Sequence, residues 1–177
     1  MKNTSYKTNW PVPDSFLIEI GRLSALWESL ETALNFSIGK LAGFEDLTDP
    51  IPFILTAHSS FPQRLDILGT LCERHSQHYH HLKSFKDVIS KIKSAQSLRN
   101  KFVHNGIAYD PETGSYKLAI ASARQTLKTS ISEITPETIH NACKEVHLAS
   151  LALHELITKV KYPPIWERSS DISNEDV

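Results

Sequence analysis

The run Arg99-Asn100-Lys101-Phe102-Val103-His104 holds the residue types in this chain best suited to chemistry on a phosphate. Asn100 and His104 stand four apart, so on a helix they share a face. Arg99 is rotated from that face, but its long side chain can swing toward the helix end. Asn105-Gly106 follows at once and is expected to stop the helix, leaving His104 in its last turn beside solvent. An imidazole so placed can exchange protons near neutral pH. The always-charged guanidinium can hold a phosphate, or the extra charge that develops on it in a transition state. Between Leu82 and His104 the chain also carries Lys83, Lys86, Lys91, Lys93 and Lys101 beside Arg99, against Asp87 alone. That stretch is either a solvated basic face balanced by acids elsewhere or a patch that attracts phosphates.

Other candidates carry weaker signals. His75, His78, His80 and His81 cluster, but no cysteine or carboxylate stands at zinc-ligand spacing, so a histidine-rich helix end is expected and no metal site. Cys72 and Cys143 lack CxxC spacing and any sequence context of a nucleophile, and read as buried thiols. Glu28 and Glu31 follow Trp27 and are expected at the surface or rim, with Arg64 as an ion-pair partner for one of them. There is no glycine-rich phosphate loop.

The elements that must position these residues are mostly helical. After a leader of residues 1–13 ending in Pro11 and Pro13, Asp14 is expected to cap a helix. Phe16, Ile20, Leu23, Trp27, Leu30, Leu34, Ile38 and Leu41 then recur at steps of three and four, one apolar stripe that Gly43 should end. The apolar stretch from Ile51 to Ala57 reads as a loop. Ser60 and Pro62 open a second helix with Leu65, Leu68, Leu71 and Cys72 on its apolar face. A third helix carries Leu82, Phe85, Ile89, Ile92, Ala95 and Phe102. The period then changes. Residues 107–109 and 116–121, around Asp110-Pro111-Glu112-Thr113-Gly114, read as a β-hairpin, and 126–134 as a further extended piece. Thr135-Pro136-Glu137 opens a fourth helix with Ile139, Cys143, Val146, Ala149, Leu153, Leu156 and Val160 along its stripe, which Pro163 and Pro164 should end. The expected fold is mainly α: a four-helix bundle over 14–162 with a β insert at about 107–134 and an acidic tail at 163–177.

Arg99-Asn100-x-x-x-His104 near the end of a helix in such a layout resembles the signature of the HEPN superfamily, an Arg, four to six residues and a His, often with a polar residue directly after the Arg. Arg74 with His80 or His81 also meets the spacing, but it lacks the Asn and sits where the apolar pattern fades. The resemblance covers the helical layout of roughly 14–160; its specific part is six residues. It implies a metal-independent endoribonuclease needing no cofactor, acting as a toxin or defence effector, with the site completed at a homodimer interface. Arg99 and His104 would be catalytic, with Asn100 orienting His104 or contacting RNA. Lys93, Lys101 and Asn105 would bind RNA. The implied partners are RNA, a second copy and an antitoxin protein. The alternatives are a non-catalytic HEPN-like module that binds RNA or a protein, and a plain helical dimerisation protein. Some toxin members carry a tyrosine two residues after the histidine, which an antitoxin modifies; here that position is Gly106, and the nearest downstream tyrosine is Tyr109.

Bulk composition bounds these readings. The chain has 177 residues, enough for one core or one core plus a small appendage. Hydrophobic residues at 40% and charged residues at 22% argue against disorder. A net charge of −1 excludes a generally basic nucleic-acid coat, so any polyanion site must be local. No apolar run resembles a signal peptide core or a membrane span, so a soluble, cytoplasmic protein is expected.

Overall fold

The computed structural model describes residues 12–46, 49–122 and 128–168. Residues 1–11 of the leader expected at 1–13, and 169–177 of the tail expected at 163–177, lie outside them. The described chain is mainly helical, with one small antiparallel sheet.

Helix α1 spans Asp14–Leu41 and buries Phe16, Leu23, Trp27, Leu30, Leu34 and Ile38 of the stripe read from the sequence, with Ile20 and Leu41 partly buried against them. Asp14 is its first residue and not its cap; Pro13 precedes it and supplies no side-chain bond. Its other end closes as the glycine suggested. Gly43 takes φ +97°, and the backbone N–H groups of Gly43 and Phe44 donate to Lys40 and Gly39 carbonyls at 3.2 and 3.0 Å.

The stretch expected as a loop contains a short helix, α2, at Ile51–Thr56. Pro52 sits where a helix tolerates proline, and Thr56 bonds back to the Pro52 carbonyl at 2.8 Å. α2 seats on α1 through Pro52 beside Gly39 and an edge-on contact of Phe53 with Phe36. Helix α3, Phe61–His75, begins at Ser60 with a capping box in which Gln63 reaches back to the Ser60 N–H at 2.7 Å. Glu31 of α1 meets Arg64, and Leu41 meets His75, so α1 and α3 run in the same sense. The segment holding α2 is therefore a return crossover, not a tight turn between antiparallel neighbours.

Leu82 falls in a 3-10 turn, His80–Ser84, that precedes helix α4 at Phe85–Val103. The insert after α4 is larger than a hairpin. Strands β1 (Gly106–Asp110), β2 (Ser115–Ser122) and β3 (Lys128–Ile134) form a sheet in the order β1-β2-β3. Ladder pairing runs along all of β3, from Tyr116 opposite Ile134 to Ser122 opposite Lys128. The third strand is added because Ile134 joins Leu118 in the core, which the alternating polar sequence Lys128-Thr-Ser-Ile-Ser only weakly signals. The sheet docks on the start of α1 through Tyr116 and Phe16, 4.9 Å between ring centroids.

Helix α5, Pro136–Thr158, starts at Thr135, whose hydroxyl accepts from the Thr138 N–H at 3.3 Å. It ends before the prolines, because Lys159 turns left-handed at φ 64°. From there residues run back against α5: the Ile165 N–H donates to His147 Nε2 at 3.2 Å, and Trp166 meets the His147 ring edge-on. The long helices α1, α3, α4 and α5 share one core with Leu118 and Ile134. No helix among the described residues is long and apolar enough to cross a membrane.

Candidate active site at the end of helix α4

Val88, Ile92, Ala95 and Phe102 bury one face of α4. Phe102, 3% exposed, pins the last turn, so the residues around it project outward. The end is fixed by backbone and side chain together. The His104 N–H donates to the Asn100 carbonyl at 3.3 Å, and the Asn105 amide donates to the Lys101 carbonyl at 2.8 Å. Gly106 then pairs with Ala119, and the chain leaves directly into the sheet.

This ending brings Arg99, Asn100 and His104 together. Arg99 Nη1 lies 2.7 Å from His104 Nε2 and 3.3 Å from Asn100 Oδ1. The guanidinium can only donate, so Nε2 is the acceptor and the ring proton of this neutral imidazole is on Nδ1. His104 and Asn100 are exposed and Arg99 is half-buried. Asn105 is occupied in holding the helix end, a structural task the sequence did not reveal. Lys101 is half-buried with its ammonium 5.4 Å from the centre of the Phe102 ring. Lys93 is exposed two turns before Asn100 on the same face, about 10 Å away along the axis. Among the described residues none of the six cations between Lys83 and Lys101 is in an ion pair.

Beneath Arg99 lies a support that the motif alone does not indicate. The guanidinium carbon sits 5.7 Å from the centre of the Trp27 ring, which is only 2% exposed. Trp27 packs against Phe61 at 4.6 Å and donates its indole N–H to Glu31 Oε1 at 2.5 Å. The other Glu31 oxygen is in an ion pair with Arg64, which also donates to Asn35 Oδ1 at 3.1 Å. A continuous series of contacts thus runs from Arg64 of α3 through Glu31 and Trp27 of α1 to Arg99 of α4. The expected partnership of Arg64 with a glutamate falls to Glu31; Glu28 stays exposed. Trp27, Glu31 and Asn35 stand at intervals of four on one helix face, but nothing in that spacing makes them neighbours of residue 99. The Nε atoms of Arg64 and Arg99 are both buried without a hydrogen-bond partner.

The remaining candidates do not converge on this site. Arg74 lies in the last turn of α3 while His80 and His81 belong to the separate 3-10 turn. His75 Nε2 bonds the Leu41 carbonyl at 2.9 Å, and no group of three potential metal ligands occurs among the described residues. Burial pushes the Cys72 and Cys143 thiols up to about 11, which suppresses the reactive thiolate. No protein-family model, no curated protein and no solved structure matches the chain.

Proposed function

We propose that the chain is a metal-independent endoribonuclease of the HEPN type, a four-helix bundle whose site is completed by a second copy. The observation that carries the reading is the 2.7 Å contact between the Arg99 guanidinium and the His104 imidazole at a water-exposed helix end. A phosphodiester entering there competes for the guanidinium with a charge-assisted hydrogen bond, stronger than the one to neutral Nε2. Arg99 turns to the phosphate and Nε2 is released as a base. His104 takes the proton of a ribose 2′-OH, O2′ bonds to phosphorus, and the bond from phosphorus to O5′ breaks. The products are a 2′,3′-cyclic phosphate and a 5′-OH, whose proton comes from the second copy's His104 in its protonated, imidazolium form, which is left as the neutral ring. Arg99 stabilises the charge on the five-coordinate phosphorus. Asn100 positions Arg99 or contacts RNA, and Lys93 and Lys101 attract the strand. An antitoxin partner and a role as toxin or defence effector extend this reading.

The test is incubation of purified protein with mixed cellular RNA in EDTA. The wild type is expected to cleave, and His104→Ala and Arg99→Ala to stay folded and lose cleavage. A folded wild type that binds RNA without cutting it would favour the non-catalytic module instead.

A further inference from the structure

After α5 the chain reverses at Lys159 and lays residues 160–168 back along the helix it has just left. This strap is braced within itself. Arg168 Nε donates to the Pro163 carbonyl at 3.0 Å, and the Arg168 guanidinium carbon lies 5.9 Å from the centre of the Tyr162 ring. A 3-10 turn, Ile165–Glu167, closes with the Glu167 N–H on the Pro164 carbonyl at 2.9 Å. The strap can therefore move as one piece.

Its attachment to the helix is slighter. Beyond Val160, whose N–H bonds Thr158 Oγ1 at 3.1 Å, one hydrogen bond among the described residues joins strap and helix. It runs from the Ile165 N–H to His147 Nε2 at 3.2 Å, and no ion pair supplements it. Two ring contacts complete the seat: Trp166 on His147 at 5.5 Å and Tyr162 on His154 at 5.1 Å. The two histidines are seven apart and share a face of α5. Tyr162, Ile165 and Trp166 stay about half-exposed, so apolar burial holds the strap only weakly.

A histidine acceptor is conditional. Neutral His147 accepts on Nε2 with its proton on Nδ1, whereas the protonated ring donates from both nitrogens. A proton on Nε2 would meet the Ile165 N–H donor to donor. The surrounding charges do not favour that proton. Burial, and then Arg168 of the strap, lower the His147 pKa from its ordinary 6.5. Lys144 stands one turn earlier on α5, and Glu167 follows Trp166. From α1, Glu19 and Arg22 are engaged with His140, two turns before His147, and Lys40 lines a groove with His154. From α4, Lys91 lines the cavity beside Tyr162. None of these carboxylates forms an ion pair with His147.

We propose that residues 160–168 form a pH-operated strap, docked on α5 while His147 is neutral and released when its Nε2 takes a proton. Tyr162 and Pro164 make one wall of a cavity of about 350 Å³, whose other walls include Lys91 of α4 and Leu148 and Ala152 of α5. Release removes that wall and uncovers the seam between α4 and α5. A base whose pKa is depressed in the docked form stabilises docking fully above its ordinary value and loses that effect as pH falls through the depressed one. Opening therefore belongs below pH 6.5. The inference is independent of the ribonuclease reading.

The test follows the full chain by NMR from pH 8 to pH 5, reading the Trp166 indole and hydrogen exchange at the Ile165 amide, with far-UV circular dichroism to monitor the helices. The Trp166 signal is expected to move with a midpoint below pH 6.5. Protection of the Ile165 amide, corrected for its intrinsic rate, should fall at least ~10-fold while Val146 in the core keeps its own. His147→Gln offers an amide oxygen that does not titrate, so the strap should stay docked throughout. His147→Phe keeps a ring for Trp166 but no acceptor, so the Ile165 amide should be unprotected even at pH 8. A Trp166 signal that stays in place to pH 5, or a transition with the same midpoint in His147→Gln, would overturn the proposal. So would wild-type protection at Ile165 in His147→Phe, or release only together with loss of the helices.

Discussion

Replacing Arg64 by Met tests the series of contacts that holds Arg99 in place. The substitution keeps an aliphatic stem against Phe61 but removes the guanidinium bonded to Glu31 and Asn35. Hydrogen bonds to charged groups contribute about 1.5–3 kcal/mol, and breaking a fully buried pair costs about 3–5. The side chains of Arg64 and Glu31 retain 13% and 26% of their exposure, so water partly replaces the lost partner. We therefore expect a loss of about 2 kcal/mol. At roughly 2–4 °C per kcal/mol for a chain of this size, that lowers Tm by about 4–8 °C. Circular-dichroism melts of wild type, Arg64→Met, Glu31→Gln and the double variant form a thermodynamic cycle. Once Arg64 is gone, Glu31→Gln should cost little further, giving a coupling of about 1–2 kcal/mol. Additive effects of the two substitutions, or an Arg64→Met protein within about 0.5 kcal/mol of wild type, would refute the idea that this pair braces Trp27.

Gly39→Ala should destabilise in spite of alanine's better helix propensity, because the new Cβ would lie 2.7 Å from Cγ of Pro52. Overpacking of about 1–3 kcal/mol exceeds the roughly 1 kcal/mol gained, so urea denaturation should show a net loss of about 1 kcal/mol. Cys72 and Cys143, with thiols near 11, should resist iodoacetamide at pH 8 in the folded protein and react once it is unfolded, as mass spectrometry would register. Hydrogen bonds from Lys117, Thr113 and the Glu112 N–H lower the Asp110 carboxyl to about 2. A carboxyl depressed in the folded state stabilises fully above its unfolded pKa, and the effect is lost as pH falls through about 2. The Tm difference between wild type and Asp110→Asn should therefore be present at neutral pH and close as pH approaches 2; an undiminished difference there would contradict the assignment.

Much of the fold was legible because burial imposes strict periods. The α1 and α5 stripes put residues at steps of three and four into the core, although α5 stops before Val160, the last residue of the expected stripe, which is 45% exposed. The capping residues Ser60 and Thr135 were equally plain. Three features were not. The sequence of α2 is only six residues long, too short for an apolar period to distinguish helix from loop. The stretch 126–134 was readable as an extended piece, but its place in the sheet was not: among the described side chains of β3 only Ile134 is buried and Ile131 is 71% exposed, so the ladder defines its pairing more than alternation does. α5 ends at a left-handed lysine that no propensity rule anticipates. At the candidate site the local part was readable: five positions along a helix end suffice to let Arg99 reach His104. The supporting part was not, since Trp27, Glu31 and Arg64 lie far away in sequence and reach Arg99 only through the parallel placement of α1 and α3. Asn105 looked like a ligand-facing polar residue because nothing local distinguishes that from a side chain bonded to its own helix end.

The most direct test uses two RNA oligonucleotides of one sequence that the protein cleaves, one of them with a single 2′-deoxy sugar at the cleaved position, incubated in EDTA. Transfer of the 2′-OH proton to His104 predicts that the all-ribose strand yields a 2′,3′-cyclic phosphate and a 5′-OH. It also predicts that the deoxy strand survives at that position and that His104→Ala cuts neither. Scission at the deoxy position, or undiminished cleavage by a folded His104→Ala protein, would contradict the account.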